Sequence, residues 1–293
     1  MGRGDLTNRE WLLLEPHLPP AGGRGGRWND HRTVVNGILF RVRTGVPWRD
    51  LPERYGPWKT VYERHRRWSA DGTWDRILQS VQAHADLAGR IDWSMVGVDS
   101  TSCRAHQHAA GARKTRPWVP KKRTTPRHHR PDEGLGRSRG GLTCKIHLAS
   151  EGGCRPMALL LTPGQWGDAP QLVEVLDRIR VPRPLGGRPR TRPDHVSGDK
   201  AYSSRRNRRY LRRRHIRHTI PEPKDQRVNR HRRGSAGGRP TGFDRDYYRR
   251  RNEVERTINR LKNSRAVATR YDKRAYVFHG TVTVAAIRLW LRQ

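Results

Sequence analysis

The sequence has few acidic residues, few cysteines and no long apolar run. Only 27 Asp and Glu accompany 62 Lys and Arg, which leaves a formal net charge of +35 at pH 7. Its three cysteines have no Cys-x2-Cys spacing, which argues against a disulfide framework and a zinc ribbon. Apolar runs such as 157–161 are too short to span a bilayer, and the first residues lack the apolar segment of a signal peptide. We therefore expect an intracellular, cytoplasmic protein with no membrane partner.

The excess of positive charge indicates the class of partner. Like charges repel in the folded chain, so a charge of this size opposes folding unless a polyanion neutralises it. Nucleic acid is the usual polyanion, and a DNA duplex is the commonest form. A GC-rich genome also raises the arginine count, and a ribosomal or RNA-coating protein is equally basic. The composition therefore predicts nucleic-acid binding without distinguishing a coat protein from an enzyme.

Residues 1–88 are predicted to form a small helical domain. Thr7 and Glu10 have the spacing of a capping box, and Asp30 precedes an apolar face that ends at Gly45. A further helix over 58–69 has basic residues beside its apolar stripe, which is typical of a helix-turn-helix module contacting DNA. A helical dimerisation bundle with a solvated basic face explains the pattern equally well. The candidate DNA contacts on this helix are Lys59, Arg66 and Arg67.

From residue 92 to 293 the periodicity indicates an α/β domain. The predicted order is strand, hairpin, helix, strand, helix, strand, helix, which is the order of a ribonuclease H-like fold. Two basic stretches, 104–141 and 224–240, have few residues that could enter a core, and we expect them to be mobile loops. Many α/β domains share parts of this order, so it is a weak signal by itself.

Two of the scarce acids are placed where ligand sites occur. Asp99 closes the apolar segment Val-Gly-Val-Asp, and Asp199 closes Val-Ser-Gly-Asp. Carboxylates at the carboxyl ends of strands lie where α/β sheets bind ligands. An aspartate there can also simply cap the next turn, which is the commoner explanation for any single case.

A third acid, Glu255, lies in a predicted long helix over 244–266. At 3.6 residues per turn, Tyr248, Arg251, Glu255 and Lys262 fall within an arc of roughly 60°. An apolar stripe in the neighbouring arc would dock this helix onto a sheet. An acid between two cations and a phenol suits a site for metal and phosphate, whereas a surface helix with an Arg251–Glu255 pair is the alternative.

The spacing Tyr-x2-Arg-x3-Glu-x6-Lys from Tyr248 to Lys262 resembles the signature of insertion-sequence transposases in the IS-four and IS-five group. Asp-Lys-Ala-Tyr (199–202) and Val-Asp-Ser-Thr (98–101) are similar to the motifs around their two catalytic aspartates. Residues 39–52 and 138–147 are also similar to segments of IS-five-like members. The likeness covers nearly the whole chain, although Lys200 is an unusually bulky cation in the second motif.

The resemblance implies an Asp-Asp-Glu triad of Asp99, Asp199 and Glu255 that binds two Mg²⁺ or Mn²⁺ ions on a ribonuclease H-like fold. It implies cleavage at insertion-sequence ends, transfer of the 3′-OH into target DNA, and action at the bacterial nucleoid. The expected partners are duplex DNA with terminal inverted repeats, target DNA, and further copies of the chain in a homodimer or larger synaptic assembly. Arg251 and Lys262 are expected to bind phosphates, with Tyr248 beside them. The alternatives are a ribonuclease H-like nuclease without strand transfer and a decayed, non-catalytic DNA-binding protein.

Overall fold

A mixed sheet forms the centre of the chain in a computed structural model, which describes residues 2–20, 29–112 and 133–292. Its strands are β1 (Val96–Ala105), β2 (Gly136–Ser138), β3 (Gly141–Glu151), β4 (Arg155–Pro163), β5 (His195–Gly198), β6 (Arg217–Thr219) and β7 (Thr269–Arg270).

The strand order identifies the fold. β3 lies antiparallel between β1 and β4, while β5 is parallel to β1 and β6 is parallel to β5. The short β2 and β7 pair with the ends of β3 and β1. The resulting order, β4-β3-β1-β5-β6, is that of the ribonuclease H-like fold. The predicted fold class, an α/β domain of this type preceded by a small helical region, is confirmed.

Helices precede, follow and cover the sheet. They are α1 (Asn8–Leu14), α2 (His31–Thr44), α3 (Trp58–Ala70), α4 (Thr73–Leu87), α5 (Gln107–Ala110), α6 (Gln171–Asp177), α7 (Arg205–Arg213), α8 (Lys224–Arg232), α9 (Arg245–Arg249), α10 (Asn252–Lys262), α11 (Arg265–Ala268) and α12 (Ala275–Leu291). In the described ranges, no helix has the length and apolar character needed to cross a membrane.

The first helices begin and end at the residues that the sequence indicates. Thr7 and Glu10 form the reciprocal capping box of α1. The carboxylate of Asp30 accepts a hydrogen bond from the backbone N–H of Thr33, 2.7 Å away, at the start of α2. Gly45 ends α2 with a φ of 71°, a conformation that glycine adopts without steric cost.

The last described helix completes the core of the first ones. α12 packs against α2, α3 and α4 as well as against β4. A buried ion pair also joins the two regions, because Arg41 Nη2 on α2 lies 3.1 Å from Asp272 Oδ1. Residues 1–88 and 92–293, which the sequence analysis predicts to be two domains, therefore share one hydrophobic core.

Three expectations about the basic segments need correction or restriction. The predicted helix over 244–266 is wrong as a single element, because α9 ends at Arg249 and α10 begins at Asn252. The predicted loop over 224–240 contains the helix α8. Of the predicted loop over 104–141, β1, α5 and β2 occupy the flanks, and residues 113–132 lie outside the described residues.

Candidate active site

The two predicted aspartates lie on neighbouring parallel strands. The register pairs Val98 of β1 with Gly198 of β5, so Asp99 and Asp199 follow directly, side by side. Asp199 Oδ1 accepts a hydrogen bond from the backbone N–H of Ala201, 2.8 Å away, in a short turn. The side chain of Lys200 in the same turn is exposed, so the departure from the family motif places no bulk inside the protein.

Glu255 is delivered to the same place by α10. This helix packs on β1 at Gly97, where an added Cβ would lie 2.8 Å from Cβ of Val254. A glycine is needed at Gly97 because the helix approaches the strand so closely. Since side chains alternate along a strand, Gly97 and Asp99 face the helix together. The structure thus brings the three predicted carboxylates into one site.

Arg251 lies between two of these carboxylates. Its Nη2 is 2.6 Å from Glu255 Oε1, and its Nη1 is 3.7 Å from Asp99 Oδ2. Within the described residues, no three metal-ligating side chains are close enough to hold an ion. The guanidinium thus occupies the space between Asp99 and Glu255, and the acids converge without being at ligand distance.

The electrostatics of Asp99 fit a cation site. Burial raises the pKa of Asp99, and repulsion from Asp199 and Glu255 raises it further. A hydrogen bond from the backbone N–H of Ser100 to Asp99 Oδ1 (2.7 Å) and the charge of Arg251 oppose this rise. A divalent cation would relieve the repulsion, and carboxylates are the hard oxygen ligands that Mg²⁺ and Mn²⁺ prefer.

The other residues of the predicted helix stripe reach the site from separate elements. Arg250 and Arg251 separate α9 from α10, and Arg250 donates hydrogen bonds to Asp92 (2.5 Å) and Ser94 (3.0 Å) beside the sheet. Tyr248 therefore belongs to α9, with the guanidinium of Arg251 5.8 Å from its ring centroid. At the far end of α10, Lys262 Nζ donates to the carbonyl oxygen of Ser102.

The candidate DNA contacts on α3 lie apart from the triad, on a helix whose buried face packs against α12. Lys59 and Arg67 are exposed. Arg66 is partly exposed, with its Nη2 2.7 Å from Glu63 Oε2. Their role in binding DNA stays a prediction.

Asp168 was not among the predicted site residues, yet it lies beside the first aspartate. Its Oδ1 accepts hydrogen bonds from Ser100 Oγ (2.9 Å) and Lys145 Nζ (3.0 Å). The fully buried ring of His147 also approaches it, with Nδ1 3.7 Å from Asp168 Oδ1. The alternation that places Lys145 and His147 on one face of β3, opposite Ser102 and Ser100, was the signal for a polar site on that side of the sheet.

Comparison with known proteins identifies the family. A model described as "Transposase DDE domain" matches residues 94–290, and one described as "Putative transposase of IS4/5 family" matches residues 6–78. The chain belongs to the DDE transposase family. It is thus a DNA transposase of the polynucleotidyl transferase and endonuclease class, and the family depends on divalent metal ions.

Relatives from insertion sequences agree with this assignment. The "Insertion element IS402 uncharacterized 16.2 kDa protein" of Burkholderia cepacia is 38% identical over 36% of this chain and 76% of its own length. The "Putative transposase for insertion sequence element IS402" of the same organism is 32% identical over 46% of this chain and 56% of its own length.

A solved structure of the Mos1 transposase in a paired-end complex with the left transposon end also matches. It is 11% identical, with 93% of this chain and 80% of that chain covered and a TM-score of 0.27. A TM-score this low does not bear on the fold, which is established here by the strand order and the family match.

Proposed function

We propose that this transposase cleaves DNA at the ends of its insertion sequence and joins the freed 3′-OH to target DNA, with Asp99, Asp199 and Glu255 as the metal ligands. The observation that supports this assignment is the convergence of three carboxylates from β1, β5 and α10, with the pKa of Asp99 raised by burial and by the other two acids. When bound, a pair of Mg²⁺ or Mn²⁺ ions would activate the attacking oxygen and stabilise the leaving oxygen.

The cations around the triad have complementary tasks. Arg251 lies against Asp99 and Glu255 and is placed to bind the scissile phosphate once the carboxylates turn to the metal ions. Lys262 lies along the same helix and would bind a neighbouring phosphate of that strand. Tyr248, on whose ring Arg251 rests, would orient the guanidinium and donate a hydrogen bond from its hydroxyl.

Further basic surface lies next to the second aspartate. α7 begins shortly after Asp199 and buries Asn207, Tyr210 and Leu211. Its other face exposes arginines that are placed to contact the DNA backbone. Each phosphate contact releases counterions, so such a surface gives salt-dependent affinity without reading sequence. The exposed arginines are Arg205, Arg206, Arg209, Arg212 and Arg213.

We assign recognition of the terminal inverted repeats to the helical region 1–88, through Lys59, Arg66 and Arg67 of α3. Transposition joins two element ends to one target, so we propose a homodimer or larger synaptic assembly acting at the bacterial nucleoid. Substitution of Lys59 and Arg67 by Ala should reduce the preference for terminal over scrambled duplexes. Arg76→Ala, which removes an exposed cation from the next helix, should leave that preference unchanged.

The triad is tested with duplexes that carry the element end. Asp99→Asn, Asp199→Asn and Glu255→Gln should each slow Mg²⁺-dependent cleavage at least about 1,000-fold, or about 4 kcal/mol of barrier, while retaining DNA binding. Asp246→Asn, on the exposed side of α9, should cleave normally. A triad variant that cleaves at the wild-type rate would remove that residue from the ligand set.

Strand joining is scored in the same reactions by adding a target duplex. Cleavage without joining would indicate that the protein is a nuclease without strand-transfer activity. Binding without cleavage by the wild-type chain would leave a decayed, non-catalytic protein.

A further inference from the structure

The loop between β4 and α6, residues 164–170, touches both segments that carry the catalytic aspartates. Its first contact is with β1, where Ser100 Oγ donates a hydrogen bond to Asp168 Oδ1, 2.9 Å away. The backbone N–H of the same Ser100 donates to Asp99 Oδ1, 2.7 Å away. Ser100 is thus held by Asp168 through its side chain while its backbone orients the Asp99 carboxylate.

Asp168 acts from the side of the sheet opposite Glu255. Asp99 and Gly97 face α10, and alternation along the strand turns Ser100 to the other face. Asp168 meets Ser100 there, together with Lys145, which is opposite Ser102 in the neighbouring strand. Its oxygen Oδ1 is already occupied by these two donors. Asp168 therefore contacts β1 from the face opposite α10, and it is not one of the proposed metal ligands.

The second contact of the loop is with the segment after Asp199. The fully buried side chain of Asn207 donates from one Nδ2 to two carbonyl oxygens, those of Ala169 (2.8 Å) and Tyr202 (2.9 Å). Ala169 follows Asp168, and Tyr202 ends the turn that begins at Asp199. One amide therefore ties the loop to the second aspartate-bearing segment.

Tyr202 is buried beneath this junction. Burial raises the pKa of its hydroxyl well above the ordinary value, and the nearby charges of Asp99, Asp168 and Asp199 raise it further. The charges of all three carboxylates therefore act on the Tyr202 hydroxyl. Asp168 adds little net charge to the site, because Lys145 lies 3.0 Å from its Oδ1 and is further fixed by the carbonyl oxygen of Trp166 (2.9 Å).

We propose that loop 164–170 is a clamp that sets the spacing of Asp99 and Asp199, and that Asp168 is its positioning residue. The inference rests on the proposed function, in which those two aspartates hold the metal ions. Two-metal sites work with ions about 3.5–4 Å apart, so a small shift between the two strands changes the coordination of both. Hydrogen bonds that orient the ligating groups also contribute to metal affinity.

The test measures metal binding apart from catalysis. Mn²⁺ is titrated into the full chain without DNA, and free Mn²⁺ is followed by electron paramagnetic resonance. Asp168→Asn keeps the size of the side chain and removes the charge that holds Ser100 and Lys145. It should weaken Mn²⁺ binding about 10-fold and raise the Mn²⁺ concentration for half-maximal cleavage by a similar factor. Ser100→Ala, which removes only the hydroxyl, should shift both in the same direction.

Asp177→Asn is the matched control. Asp177 lies at the other end of α6, where its Oδ1 is 3.3 Å from Nη1 of Arg214, away from the triad. The variant should bind Mn²⁺ like the wild type. If Asp168→Asn lowers only the melting temperature and leaves Mn²⁺ binding at the control value, the clamp is wrong.

The remaining outcomes separate this inference from the triad assignment. Loss of Mn²⁺ binding as complete in Asp168→Asn as in Asp99→Asn would make Asp168 a ligand and overturn the positioning role. Wild-type Mn²⁺ binding by Asp99→Asn would overturn the triad itself. Should Asp168→Asn fail to fold, wild-type metal dependence in Ser100→Ala contradicts the clamp by itself.

Discussion

Lys262 donates a hydrogen bond from Nζ to the backbone carbonyl oxygen of Ser102, 3.2 Å away. The lysine that ends α10 is thereby held against β1, the strand that carries Asp99. Glu255 and Lys262 therefore lie at two positions along α10, which packs beside β1. A DNA strand with its scissile phosphate at the triad and its backbone along α10 would also contact Lys262.

Lys262→Ala should slow single-turnover cleavage. It should also reduce, by about one, the slope of the logarithm of the binding constant against the logarithm of salt concentration, since one phosphate contact is lost. Loss of the hydrogen bond to Ser102 should cost about 1 kcal/mol of stability. Cleavage of an end-labelled duplex and binding at several salt concentrations measure both effects. Arg256→Ala, an exposed cation on the same helix, is the control. Equal behaviour of the two variants would mean that Lys262 is only a surface residue.

Arg251→Ala should change metal binding and cleavage in opposite directions. The guanidinium lies between Asp99 and Glu255 and offsets the repulsion between their charges. Without it, a bound cation would take over this role, so Mn²⁺ should bind the DNA-free protein more tightly. Cleavage should fall by about 100-fold or more, because the phosphate loses a charged donor. Calorimetric Mn²⁺ titration and a cleavage assay measure the two quantities. Arg249→Ala, whose partner is the exposed Asp246, should change neither. Weaker Mn²⁺ binding in Arg251→Ala would contradict the arrangement.

Asp272→Ala should destabilise the protein by about 3–5 kcal/mol, because Arg41 would be left as a buried charge without its partner. Asp272 also accepts a hydrogen bond from Thr281 on α12, 3.0 Å away. Urea denaturation measures the free energy of unfolding. For comparison, Asp246→Ala breaks an exposed pair with Arg249 and should change stability by about 0.5 kcal/mol or less. Similar small losses in both would mean that the buried pair contributes little.

Acid should weaken the junction between the helices through His65. Burial lowers the pKa of this ring from 6.5 to about 4. The unfolded chain binds a proton near pH 6.5 and the folded chain only near pH 4, so stability is full above pH 6.5 and falls as pH drops between these values. The loss should approach ~3 kcal/mol by pH 4.

His65→Gln tests this, because a glutamine does not titrate. The variant gives up the ring contacts to Trp74 and Thr281, so it should be less stable at pH 7. Denaturation at several pH values should nevertheless show a flatter acid dependence than in the wild type. His84→Gln, an exposed ring, should retain the wild-type slope. An unchanged slope in His65→Gln would exclude His65 as the group responsible.

The sequence predicts those features that depend on local spacing. The capping box at Thr7, the stop at Gly45 and the strand that ends just before Asp199 each depend on neighbouring residues, and each occurs as expected. The strand predicted to end at Asp99 does not, because β1 continues to Ala105 through its pairing with β3. At the break in the predicted 244–266 helix, Arg250 contacts Asp92 and Ser94, which lie more than 150 residues earlier in the chain. Helical periodicity contains no information on such a contact.

Asp168 shows the same limit at the site. Its partners, Ser100 and Lys145, are 68 and 23 residues away and meet it only when β1 and β3 pair. In sequence, an aspartate before a helix is typical of an ordinary turn. The triad could be proposed because its residues match family motifs, whereas the contacts of Asp168 arise only from tertiary structure.

The packing of α12 among the first helices has a consequence for how the protein is made. α4 ends at Leu87, and its partner α12 begins at Ala275, roughly 190 residues later, so at a ribosomal rate of ~5–20 residues per second the first helices wait on the order of 10–40 s for that partner. During this interval their apolar faces are uncovered beside a growing, highly basic chain. The helical region therefore matures last although it is synthesised first, and a nascent chain halted before Ala275 should be open to chaperones and proteases.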